Sequence, residues 1–404
     1  LKRLKSVLKV FRRLMLAAVL LVSAIVLGAW FISRDRVGGT PSGARLQRME
    51  QSPQWGGEVF ENPLPRVDGA ATEMLEQWLF GGSDHRIPDP ALEPIMRRGG
   101  EFDVPSTSGL RVTWLGHSTL LVELDGARIL IDPVWGERAS PFTSVGPQRF
   151  YAPPLPLEEL PQVDAVVISH DHYDHLDYDT VKGLLDRETK WLVPLGVGAH
   201  LESWGVLSER IVELDWWEDV QVGSTTLTCT PARHFSGRSI FLADQNVTLW
   251  SGWAMQGPEH RVFYSGDTAL HPQFADIGER LGPFDVTMIE AGAYNALWAD
   301  VHLGPEQAVL AHQLVGGRVL LPVHWGMFDL AIHGWTEPME RTIAAAERRG
   351  VSVVTPRPGE SLELGEEPPP VRRWWPDVPW ESVEQAPCWS SHVDDLLADQ
   401  RDPS

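Results

Sequence analysis

Apolar and polar positions divide this chain unevenly. From Leu14 to Ile32 it runs 19 residues without a charge (LMLAAVLLVSAIVLGAWFI). A helix of that length, at ~1.5 Å per residue, just spans the apolar core of a bilayer. Basic residues crowd its N-terminal side, which predicts that this end stays in the cytoplasm and the remainder is exported, to the periplasm in a bacterium. Trp30 and Phe31 stand where interfacial aromatics are expected. A cleaved signal peptide, with Val22-Ser23-Ala24 as its small-residue site, would instead give a secreted protein. The apolar run continues well past Ala24, which favours the uncleaved anchor. The dense basic flank argues against a buried core helix.

Gly38 to about Pro65 is rich in Gly, Pro, Ser and Gln and reads as a linker. A short helical pattern follows from Ala71 to Leu79. Strand patterns begin at Leu110, continue over Ser118–Leu124 to the turn Asp125-Gly126, and resume over Arg128–Ile131, which predicts an antiparallel meander. The run Asp164–Ser169 is almost wholly apolar, as in a strand buried on both faces. Further strands are expected at 190–193, 211–214, 225–230, 248–250, 262–264, 285–289 and 319–322, with helices at 178–185, 272–281, 304–314 and 338–349. Such alternation predicts α/β layering. The chain divides into a basic N-terminus and anchor (1–36), a linker (37–69), a large α/β domain (70–365) and an extension rich in Pro, Trp and acid (366–404).

Charge sharpens this division. Residues 1–36 carry eight basic groups against Asp35, a net of +7, which leaves −28 on the rest of a chain whose total is −21. An acidic body of that size repels polyanions, so nucleic acid is not an expected partner. Cys229 and Cys388 lie far apart, outside any CxxC pair, and read as two unpaired thiols, with one disulfide as the alternative.

The chemistry concentrates directly after the buried strand, in His170-Asp-His172-Tyr-Asp174-His175. Residues two apart in extended chain point the same way, so His170 and His172 can converge on one ion. Asp174 and His175 follow where the chain turns and can face a second. Imidazole with carboxylate suits zinc. The plain alternative, a solvated loop opening on four polar residues, sits poorly at the end of a buried strand. No G-x-S-x-G occurs to suggest a serine hydrolase.

The H-x-H-x-D-H pattern resembles that of the metallo-β-lactamase superfamily. The resemblance implies a four-layer αβ/βα sandwich with two Zn2+ at one edge. It places His170, His172 and His234 on one zinc and Asp174, His175 and His324 on the other, with Asp267 bridging. Two zinc ions ~3.5–4 Å apart supply an activated water and polarise the group attacked.

A narrower resemblance runs from about Gly109 to Leu364, to N-acylphosphatidylethanolamine-hydrolysing phospholipase D and its bacterial relatives. Its stretches are Leu110–His117, Asp132-Pro133, Gly146–Phe150, Ile168–Tyr178, Val193–Gly196, Glu213–Glu218, Gly266–Thr268, Gly282–Asp285, Gly292–Tyr294 and His324–Gly326. That family cleaves the phosphodiester on the headgroup side, releasing an N-acylethanolamine and phosphatidic acid. The resemblance makes Asp174, Asp267 and His302 the catalytic residues. His302 contacts the substrate, as an oxyanion contact or by protonating the leaving group. Asp132 and His117 match positions beside the site and read equally as supports or as packing. The expected partners are a phospholipid and the membrane, with a homodimer left open. A zinc-dependent lactone or β-lactam hydrolase is the alternative enzyme, and a catalytically silent tethered binding module is the alternative class. The latter requires a missing ligand, and all seven positions are filled.

Overall fold

The computed structural model describes residues 2–239, 243–365 and 367–397; for 2–8, 10, 22–27 and 397 it describes backbone alone. The strands β1 (Leu110–Gly116), β2 (Thr119–Leu124) and β3 (Ala127–Ile131) form an antiparallel meander. Pairing then turns parallel through β4 (Ala165–Val167), β5 (Lys190–Pro194) and β6 (Ile211–Leu214). A second seven-stranded sheet is built from β7 (Asp219–Val222), β8 (Thr225–Thr230), β9 (Gly252–Gln256), β10 (Arg261–Tyr264), β11 (Phe284–Glu290), β12 (Gly317–Val323) and β13 (Ser352–Val353), in the order β13-β12-β11-β10-β9-β8-β7. The last strand, β14 (Ser361–Glu363), returns to pair antiparallel with β1 and completes the first sheet at seven.

Alternation along the first sheet explains its burial on both sides. Val122, Ile129, Ile131, Val167 and Leu192 join the main core with residues of the second sheet. Their neighbours Leu121, Leu130, Val166, Trp191 and Val193 pack in a separate cluster with Val181 and Leu201. Those two belong to α4 (Tyr178–Gly183) and α5 (Gly198–Ser203), which cover the outer face, following α1 (Lys2–Val37), α2 (Gly43–Met49) and α3 (Ala71–Phe80) in the chain. On the second sheet the cover comes from α6 (Gln273–Leu281), α7 (Pro305–Leu314) and α8 (Glu337–Arg349), with a short α9 (Asp394–Leu397) near the C-terminus.

Several elements differ from the pattern along the sequence. The stretch 248–250 is loop, and the strand begins two residues later, at Gly252. There the backbone passes so close to its neighbours that a Cβ would lie 2.7 Å from Thr230 Oγ1 and 2.8 Å from the Tyr264 carbonyl. The segment 37–69 is built into the domain, since Met49 and Phe60 are fully buried in the main core. The extension from 367 likewise buries Trp375 and Val393. Both segments are rich in Gly or Pro, yet a few large apolar side chains suffice to dock them. Cys229 and Cys388 are buried free thiols.

The apolar run 14–32 lies within α1, but among the described residues no helix is long and apolar enough to cross a membrane. Residues 22–27, in the middle of that run, have no described side chains. The C-terminal end of α1 is docked. Arg238 donates to the carbonyls of Arg36 and Val37 at 2.9 and 3.1 Å, and Arg36 pairs with Asp179 at 2.8 Å. The same buried Arg238 binds the carbonyls of Asp171 and Leu176, so it ties the helix end to the loop after β4.

Candidate metal centre

The site assembles at the carboxyl ends of strands, where loops can turn side chains inward without disturbing the ladders. Asp132 follows β3, His170 to His175 follow β4, His234 follows β8, Asp267 follows β10 and His324 follows β12. Three of the residues gathered there, His117, Asp132 and His324, adopt left-handed backbone with φ of 51°, 38° and 66°. That conformation is uncommon for non-glycine residues, though histidine and aspartate adopt it more readily than most.

The structure brings all seven expected ligands together. His170 Nε2 and His172 Nδ1 lie 2.8 Å apart, and His234 Nε2 is 3.3 Å from His172 Nδ1. Asp267 Oδ2 lies 3.7 Å from His170 and 3.8 Å from His234. The opposite nitrogens set the tautomers. His234 Nδ1 donates to the Val301 carbonyl at 2.7 Å, and His170 Nδ1 donates to Ser169 Oγ, whose own proton goes to Asp132. Lone pairs of His170 and His234 therefore point inward toward His172 and Asp267, as ligands of a shared cation would.

The second group shares Asp267. Its Oδ2 is 3.2 Å from His175 Nε2 and 3.0 Å from His324 Nε2, and Asp174 Oδ2 is 3.3 Å from both rings. His117, read from sequence as a support or as packing, stands inside this group with Nε2 2.9 Å from Asp174. His175 Nε2 and Asp267 Oδ1 are buried and make no hydrogen bond among the described residues. Orphaned buried groups of this kind are what a metal ion would satisfy, so the residues fit a two-metal centre.

A family model described as "Beta-lactamase superfamily domain" matches residues 127–325. The chain is 40% identical over 337 residues to N-acyl-phosphatidylethanolamine-hydrolyzing phospholipase D 1 of Caenorhabditis elegans, covering 77% of this chain and 94% of that protein. It belongs to the metallo-β-lactamase superfamily. A protein of Mycobacterium tuberculosis is 46% identical over 370 residues, covering 87% of this chain and 96% of its own. The crystal structure of isothiocyanate hydrolase from Delia radicum gut bacteria superposes with a TM-score of 0.50 at 22% identity, over 62% of this chain and 98% of that one, which shows the fold. As a superfamily member with these relatives the protein is a metal-dependent hydrolase.

Electrostatics in this metallo-β-lactamase site separate the two groups. Burial lowers His170, His172 and His234, keeping their imidazoles neutral as metal ligands must be. Burial, aided by His324, lowers His117 to about 3. For His324 burial works against protonation, but Asp267 and Asp174 outweigh it and raise the ring to about 10. His175 is raised in the same way. Burial likewise opposes ionisation of Asp174 and Asp267, yet the adjacent His175 helps hold both well below the carboxylate range. The carboxylates Asp174 and Asp267 thus favour positive charge in the second group.

Asp132 supports rather than ligates. It is fully buried and accepts from Ser169 N, Ser169 Oγ, Tyr264 OH and His175 Nδ1. His302 sits beside the shared carboxylate, its Nδ1 4.0 Å from Asp267 Oδ2 and 2.8 Å from Glu290 Oε2. Glu290 escaped the sequence reading. Its one signal was an ionisable residue closing the strand Phe284–Glu290 directly after the apolar pair Met288-Ile289, where a buried carboxylate has to find partners.

Proposed function

We propose that this protein is a binuclear zinc phospholipase D acting on N-acylphosphatidylethanolamine-type lipids, giving an N-acylethanolamine and phosphatidic acid. The observation that carries this reading is the pair of ligand groups joined through Asp267, set in a chain 40% identical to a worm enzyme named for that reaction. His170, His172 and His234 would hold one zinc, and Asp174, His175 and His324 the other, with Asp267 between them. When bound, such a pair supplies an activated water and charge stabilisation at the phosphoryl oxygens. The chain's own part is to hold these ligands rigidly, keep their tautomers fixed, and offer His302 to the phosphate or the leaving oxygen.

Location at a bilayer accompanies the reading, with the catalytic domain outside the cytoplasm. Contact with the bilayer is supported by Leu14, Leu16, Leu20, Phe31 and Ile32 of α1, each more than half exposed. Through Arg238 that helix meets the loop bearing His170 and His172, so a membrane-held N-terminus would keep the centre close to its lipid.

The test is mass spectrometry of lipids incubated with the zinc-loaded enzyme, with His172→Ala and Asp267→Ala as controls and a lactone assayed in parallel. The reading requires loss of N-acylated phosphatidylethanolamine and gain of phosphatidic acid by the wild type alone. Lactone turnover with untouched phospholipid would leave a hydrolase of another substrate.

A further inference from the structure

Glu290 is fully buried, and the ligand set described above does not use it. Its Oε1 accepts from Thr268 N at 2.6 Å and Leu303 N at 3.2 Å. Thr268 follows the shared carboxylate Asp267, and Leu303 follows His302. Oε2 accepts from His302 Nδ1 at 2.8 Å and lies 3.6 Å from His324 Nδ1. One carboxylate thus clamps the Asp267 loop to the His302 loop and takes the ring proton of His302.

We propose that Glu290 is a positioning residue that fixes the ring plane and tautomer of His302, with Nδ1–H on the carboxylate and Nε2 left to meet the substrate. The proposal rests on the reading of His302 as a substrate-contacting residue. A buried carboxylate behind a histidine holds the imidazole in one orientation and one tautomer, which a free ring would exchange. The His302 side chain keeps 14% exposure whereas Glu290 has none, so the ring is the group within reach of an incoming molecule. Asp267, Glu290, His302 and His324 also stand close enough to hold an ion together. Against that role, both Glu290 oxygens are already engaged by N–H donors.

The variant Glu290→Gln separates these roles. A carboxamide has one acceptor oxygen where the carboxylate has two. If that oxygen stays with the two backbone N–H groups, the amide NH2 faces His302 Nδ1 and forces the proton to Nε2. Nitrogen-15 NMR of histidine-labelled, zinc-loaded protein reads this directly, with His302→Ala identifying the resonance. The wild type should carry the His302 proton on Nδ1 and Glu290→Gln on Nε2. The variant should keep its zinc content and KM, while kcat falls about 10–100-fold. His302→Ala with Glu290→Gln should be no worse than His302→Ala alone, since the two act as one unit.

A wild-type proton on Nε2 would overturn the proposal even if the variant failed to fold. So would loss of one zinc equivalent, which would make Glu290 a ligand, or additive losses in the double variant. Turnover is followed on a generic phosphodiester as well as on the lipid. Untouched phospholipid with an intact tautomer switch would therefore sink the lipid reading and leave this one standing.

Discussion

His175 Nδ1 lies 2.7 Å from Asp132 Oδ2, and that pairing turns the opposite nitrogen toward Asp267, 3.2 Å away. Asp132 thus orients His175 within the second ligand group without belonging to that group. Its backbone is left-handed, and four donors converge on a carboxylate with no solvent exposure.

Replacing Asp132 by Ala should therefore act twice. It frees the His175 ring, lowering metal affinity or activity about 10–100-fold. It also leaves buried donors unpaired, at about 1–3 kcal/mol for each. Metal titration together with urea unfolding would measure both. Wild-type metal affinity in a destabilised variant would make Asp132 a packing residue only.

Metal binding should expel protons. His324, raised to about 10, and His175, raised in the same direction, must both give up a proton to become ligands. Affinity should rise as pH increases from 7 toward 10. Calorimetric heats should then differ between buffers of different ionisation enthalpy, and equal heats would refute this.

The metal-free protein should respond to pH in the opposite sense. The folded value of His324 lies above the ordinary 6.5, so its ion pairs with Asp267 and Asp174 stabilise fully below that pH. That contribution is lost as pH climbs through about 10. Thermal melts of chelator-treated protein should fall over this range while the zinc-loaded form changes less. A metal-free protein more stable at pH 10 than at pH 8, above the range where the lowered histidines matter, would contradict the assignment.

Changing Leu16, Leu20 and Phe31 together to Ser should release the protein from phospholipid vesicles in a flotation assay. Each of these side chains contributes roughly 1.5–3 kcal/mol when moved from water to an apolar phase. Hydrolysis of a soluble phosphodiester should be unaffected, because none of the three belongs to the ligand groups. Undiminished flotation would remove α1 from the account of membrane contact.

Much of the framework was legible along the chain. The strands at 211–214 and 225–230 match residue for residue, because each is a compact β-prone run bounded by turns or charges. The strands of two to four residues at 219–222, 352–353 and 361–363 were not legible. Segments that short have no periodicity of their own, and pairing with β8, β12 and β1 makes them strands. In the same way Met49 and Phe60 gave no sign within a Gly- and Pro-rich stretch that they would be buried.

At the site, spacing alone determined that His170, His172, Asp174 and His175 would form a cluster, because adjacent residues on a strand end cannot part. The distant ligands His234, Asp267 and His324 were reached through family resemblance, and their convergence depends on loops carried by three different strands. Only the tertiary structure decided which nitrogen of each ring faces inward, since that follows from partners remote in sequence such as Val301 and Asp132. It alone brought His117 into the second group and set Glu290 behind His302. A buried carboxylate has no pattern in one dimension. Its role is defined by the donors that surround it once the sheets have closed.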